Sequence, residues 1–131
     1  MDFQLEIGMQ AKVDRIVGEA DTAMAFGSGE VKVFATPMMI GLMENAALKA
    51  VDSFLPKGYS TVGTHLDVKH LAATPVGMAV WAQAELVAVE GKRLSFVIKA
   101  YDSVELIGEG THQRYIVSFD KFVKAAEAKG L

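Results

Sequence analysis

Val33-Phe34-Ala35-Thr36-Pro37-Met38-Met39-Ile40-Gly41-Leu42-Met43-Glu44-Asn45-Ala46-Ala47 is the stretch from which the fold is read. Thr36-Pro37 has the character of a helix start: a threonine hydroxyl accepts from an orphan backbone N–H, and proline suits the first helical position. The pattern predicts a helix running to about Ser53, with Pro56 and Gly58 beyond its end. Its solvent stripe is Asn45, Lys49 and Asp52, at i, i+4 and i+7. Glu44 lies about 100° around the axis from Asn45. It is flanked on its own face by Ile40, Gly41, Ala47 and Leu48. A carboxylate in so apolar a helix costs free energy unless it is partnered or used. Glu44 therefore reads as a general base, a nucleophile or the orienting partner of a base. The plainer reading is a helix carboxylate that reaches water near the domain edge.

Downstream of this helix the chain reads as β. Thr61 to Ala73 alternates, with Thr61, Gly63, His65, Asp67 and Lys69 expected on one face and Val62, Thr64, Leu66, Val68 and His70 on the other. His70 thus ends the apolar row. It is the natural acid/base side chain near neutrality, and a core histidine tied to a backbone carbonyl is the alternative. Pro75-Val76-Gly77 is a turn. Ala79 to Val89 and Arg93 to Tyr101 form a hairpin through Glu90-Gly91-Lys92, Leu106 to Phe119 is a further strand, and Lys121 to Lys129 a short terminal helix. Upstream, Phe3 to Val17 is weakly extended, Asp21 to Gly29 loop-like, and Val31 to Ala35 a short strand or approach segment. One long helix among antiparallel strands is an α+β pattern, a sheet wrapped on a buried helix. A single curved sheet leaves an edge and a face open, so a homodimer is expected.

The 131 residues suit one domain, 1–131, with a single core. With 51% apolar and 22% charged residues, the chain is expected to be globular. The net charge of −3 and scattered cations argue against nucleic-acid binding and an anionic membrane surface. The absence of cysteine excludes disulfides, thiolate metal sites and a cysteine nucleophile. Met1 to Glu6 is acidic and has no secretory character, and Pro37 to Met43 is too short to span a bilayer, so a cytoplasmic protein is expected. Seven methionines, three of them at 38, 39 and 43, suggest an adaptable apolar surface.

Thr36 has a second reading beside capping. The helix N-terminus offers free N–H groups and positive potential, which stabilise an oxyanion forming on a carbonyl placed there. Thr36 and Glu44 stand eight residues apart, roughly 12 Å along a helix. A symmetric dimer or a folded-back Thr36 loop is needed to unite them. His112 and Arg114, in Gly110-Thr111-His112-Gln113-Arg114, share a strand face and are candidates for a phosphate, a carboxylate or a pocket wall. His65 falls with Asp67 and is expected in solvent. The three histidines make a poor metal set, and there is no HExxH, P-loop or dinucleotide fingerprint, so no metal or cofactor is expected.

Taken in order, Ala35-Thr36-Pro37, Leu42-Met43-Glu44-Asn45-Ala46, Val62-Gly63-Thr64, Val68 to Gly77, Val89 to Phe96 and Gly108 to Arg114 resemble the fluoroacetyl-CoA-thioesterase-like branch of the hotdog-fold thioesterases. The resemblance runs from about Val33 to Phe119. It implies a hotdog fold working as a homodimer or tetramer, acyl-CoA hydrolysis at the subunit interface, and a Thr36, Glu44 and His70 site. Gly63 would contact substrate through its backbone, with Phe34, Met43, His112 and Arg114 as further substrate contacts. The fluoroacetyl-specific enzyme carries a longer, aromatic-bearing lid before the helix. Here that region is the short Ala23-Met24-Ala25-Phe26-Gly27-Ser28-Gly29-Glu30, so a different short or medium acyl group is expected. A non-catalytic acyl-CoA-binding module and a hydratase or dehydratase on the same fold are the alternative readings.

Overall fold

The computed structural model describes residues 3–130. Met1, Asp2 and Leu131 lie outside the described residues, and with them part of the Met1 to Glu6 segment. The elements are β1 (Gln10–Ile16), α1 (Ala23–Phe26), α2 (Thr36–Val51), β2 (Tyr59–His70), β3 (Ala79–Glu90), β4 (Arg93–Asp102), β5 (Leu106–Ser118) and α3 (Phe119–Glu127). All pairings are antiparallel, in the sheet order β1-β3-β4-β5-β2.

Alternation along the two central strands builds one apolar face. β3 buries Val80, Ala82, Ala84 and Leu86, and β4 buries Leu94, Phe96, Ile98 and Ala100. α2 lays Met39, Met43, Ala46, Ala47, Ala50 and Val51 into the same core. Alanines on both sides let the helix approach the sheet closely, and the larger Phe96, Leu86, Met39 and Met43 fill the remainder. α2 continues through a 3-10 turn at Asp52–Phe54, close to the expected end.

Three local expectations need correction. Ala35 is the cap residue of α2, and no side chain caps the helix, so the Thr36 hydroxyl is free for another partner. The 21–29 stretch is not all loop: a 3-10 turn at Glu19–Asp21 leads into α1, which ends on Gly27 in the left-handed conformation at φ 93°. Strand β2 does not alternate evenly. Gly63 pairs with Arg114 and His65 with Gln113, leaving Thr64 as an extra, bulged residue. The bulge reverses the side-chain phase. Thr61 and Gly63 face inward before it, whereas Leu66, Val68 and His70 take the inward phase after it. Gly63 and His70, expected on opposite faces, therefore share one.

Candidate active site

The approach segment before α2 determines where Thr36 stands. Phe34 N–H donates to the Thr74 carbonyl at 2.8 Å, Val33 forms a bridge with Pro75, and Ala35 N–H donates to the Asp21 carbonyl at 2.9 Å. The segment after β2 is held as firmly. Leu71 N–H donates to the Ile107 carbonyl at 2.7 Å, and the buried Thr74 hydroxyl donates to Asp102 at 2.8 Å. Asp102 also accepts from the N–H groups of Val104 and Glu105. Burial pushes its pKa up, but these donors together hold it below the ordinary carboxylate value. At the other end, the Arg15 guanidinium holds Asp21 low, against burial, in a bidentate pair at 3.0 and 2.7 Å. The two clamps bring the start of α2 against the end of β2.

There Thr36 Oγ1 lies 2.7 Å from His70 Nδ1, a hydrogen bond between residues 34 apart in sequence. The other ring nitrogen, Nε2, is buried and has no hydrogen-bond partner among the described residues. Burial lowers the His70 pKa, with a smaller opposing influence from the Ala72 backbone, so the neutral imidazole is favoured. A neutral imidazole has one acceptor nitrogen and one N–H. The Thr36–His70 pair can therefore accept and return a proton. Both side chains open onto a cleft of about 820 Å³, lined also by Phe34, Pro37, Ile40 and Leu71. Glu44 lines it too, half-buried about two turns further along α2.

Behind Glu44 is a second polar cluster. A methyl group added to Gly63 would come within 2.9 Å of Glu44 Oε2, 3.2 Å of the His112 ring and 3.5 Å of Arg114 Nη1. Glycine leaves this space to the carboxylate. Arg114, only 7% exposed, donates from Nε to the Thr61 hydroxyl and from Nη2 to the Thr61 carbonyl, both at 2.8 Å. His112 is wholly buried, with Nδ1 at 2.8 Å from the His65 carbonyl. A carbonyl only accepts, so Nδ1 carries the proton, and Nε2 accepts from Arg114 Nη1 at 3.2 Å. Burial, helped by the Arg114 charge, lowers the His112 pKa. Burial also lowers that of Arg114, against the opposing charges of Glu44 and Asp52.

The expected site residues divide accordingly. Thr36, Glu44, His70 and Phe34 line one cleft, whereas Gly63 and Arg114 stand behind Glu44. Met43 and His112, expected at the substrate, are wholly buried and line no part of the cleft. Met43 packs α2 onto the sheet, and the ring nitrogens of His112 are both engaged. The Thr74–Asp102 tether and the Arg114–Thr61 pair were not foreseen, because nothing local to those residues marks their partners.

Residues 17–120 match the family described as FlK, fluoroacetyl-CoA-specific thioesterase. A fluoroacetyl-CoA thioesterase of Streptantibioticus cattleyicolor is 47% identical over 91 residues, 70% of this chain and 66% of that protein. The match thus spans just under two thirds of that relative's length. A crystal structure of the fluoroacetyl-CoA thioesterase FlK has a TM-score of 0.89 at 38% identity, covering 95% of this chain and 97% of the other. A thioesterase-superfamily protein of Thermus thermophilus has a TM-score of 0.85 at 30% identity, covering 95% and 91%. A hot-dog-like protein from Thermanaerovibrio acidaminovorans reaches 0.87 at 26%, covering 98% and 97%.

Proposed function

This chain belongs to the fluoroacetyl-CoA-specific thioesterase family of hotdog-fold thioester hydrolases, and from that premise we propose that it hydrolyses a short or medium acyl-CoA to the free acid and CoA. The observation that carries the reading is the Thr36–His70 hydrogen bond at the cleft, beside a buried ring nitrogen with no partner. The thioester carbonyl lies against the N-terminus of α2, where backbone N–H groups and the Thr36 hydroxyl stabilise the developing oxyanion. In one route water attacks the carbonyl carbon, the C–S bond breaks, and the proton that water loses goes to the CoA thiolate. In the other the Glu44 carboxylate displaces the thiolate to give a mixed anhydride, and a water that then hydrolyses the anhydride supplies the proton. His70 is the group that holds and returns that proton. Phe34 walls the acyl side, Gly63 presents its backbone, and Arg114 stands behind Glu44.

Glu44 and Thr36 are roughly 12 Å apart along one helix, so the working site is a composite of two protomers in a homodimer. β2 supplies the interface: it is an edge strand of the sheet, and residues 63–67 along it are exposed. The test is release of free thiol from a panel of acyl-CoAs, with Glu44→Ala and His70→Ala alongside. Turnover that depends on both residues supports the assignment, and wild-type rates in either variant overturn it. Single turnover in oxygen-18 water then separates the routes: label entering the Glu44 carboxylate marks direct attack through an anhydride.

A further inference from the structure

Beyond Thr36, Glu44 and His70 the walls of the cleft are apolar except for Ser28. Moving away from Thr36 and His70, the surface is formed by Phe34, Ile40, Leu71, Ala72, Ala73 and Ala23. Among the described residues no lysine or arginine lines it, and its one carboxylate is Glu44. Arg114, the nearest buried cation to Glu44, is engaged by Thr61 and His112 and does not line the cleft. An acyl group with a terminal carboxylate would meet Glu44 and find no countercharge.

The segment in front of the helix is pinned by its own backbone hydrogen bonds. Ala23 N–H donates to the Val33 carbonyl, Met24 N–H to the Val31 carbonyl, and Ser28 N–H to the Ala23 carbonyl, at 2.9, 3.2 and 3.0 Å. Thr22 pairs with Phe34 at its base. Its one large aromatic, Phe26, is 55% exposed and does not line the cleft. The residues of this segment that do line the cleft, Ala23 and Ser28, are both small. A cleft of about 820 Å³ lies toward the large end of the usual range for ligand pockets. A two-carbon acyl group leaves most of its apolar wall uncovered.

We propose that the acyl group is uncharged, apolar and bulkier than acetyl, branched or aryl in shape, with the chain running from Thr36 and His70 toward Ala72, Ala73 and Ala23; this inference rests on the thioesterase reading above. Apolar contact with those walls raises kcat/KM several-fold per buried methylene. The experiment measures kcat/KM for acetyl-, fluoroacetyl-, isovaleryl-, benzoyl- and succinyl-CoA, and the affinities of the matching non-hydrolysable thioether analogues. Isovaleryl- or benzoyl-CoA should exceed acetyl- and fluoroacetyl-CoA by about tenfold or more, with succinyl-CoA the poorest. Ala73→Phe, at an exposed wall position, should lower the ratio of bulky to acetyl turnover by about tenfold. Equal or higher turnover of acetyl- or fluoroacetyl-CoA, or an unchanged ratio in Ala73→Phe, overturns the inference and leaves the thioesterase reading standing. No thiol release from any thioester, with the bulky analogues still bound tightest, overturns the thioesterase reading and keeps the acyl preference. Equal affinity for every analogue overturns the preference.

Discussion

At the residue scale, burial favours the neutral form of two histidines in different surroundings, His70 at the cleft and His112 behind Glu44. His70 keeps one ring nitrogen on Thr36 and one unpartnered. His112 has both engaged. Removing the acid/base function by His70→Ala or Glu44→Ala should lower turnover by about 10²–10⁴-fold, read as thiol release. Because burial lowers the His70 pKa from its usual 6.5, kcat/KM should fall on acidification with a midpoint below that value. Stability follows the same sign. Both histidines bind protons more readily unfolded than folded, so the unfolded state gains protons as pH drops below about 6.5 and stability falls with it. A melting temperature that rises between pH 7 and pH 5.5 would contradict this. Glu44 and His70 stood out in the sequence because each broke an apolar pattern, and both line the cleft. The complete burial of Met43 and His112 could not be read there, because burial against the sheet is a property of their neighbours.

At the element scale, the position of His70 depends on one extra residue. The bulge at Thr64 lets Thr61 and Gly63 face the Arg114 cluster while Val68 and His70 take the same inward phase. Deleting Thr64 removes the extra residue and leaves Thr61, Gly63, Leu66, Val68 and His70 in one strictly alternating inward row. The deletion variant should fold and keep thiol release; loss of release in a folded variant would refute Thr64 as the extra residue. Gly110 is a second element-scale requirement. A Cβ there would collide with the Asp67 carbonyl and lie 2.8 Å from Val68 Cα, on the adjacent strand. Gly110→Ala should therefore part β2 from β5 and lower soluble yield and melting temperature sharply. Strand existence was readable from alternation and turn residues. Strand phase was not, because a bulge arises in the pairing of two backbones and leaves no mark in the composition of either. The capping role expected of Thr36 failed for a similar reason: His70, 34 residues away, takes its hydroxyl.

At the scale of the whole molecule, a protomer holds the Thr36–His70 pair and Glu44 at separate points of one cleft. A composite site across the dimer makes a sharp prediction. Co-refolding inactive His70→Ala chains with inactive Glu44→Ala chains should restore thiol release, because each mixed dimer holds one site with both groups intact. Mixing without recovery would place the whole site within one chain. The sequence by itself determined the α+β pattern, the long helix and the succession of strands along the chain, and it marked Glu44 and His70 as polar groups in apolar rows. These follow from local rules: hydrophobic period, turn chemistry, and the cost of placing a charge or an imidazole among apolar neighbours. Tertiary structure alone decided which groups meet. The Thr74–Asp102 and Arg15–Asp21 clamps bring the start of α2 to the end of β2, and the Thr64 bulge sets which face His70 takes. Such contacts join positions far apart in the chain, and their energy exists only once the sheet has closed around the helix.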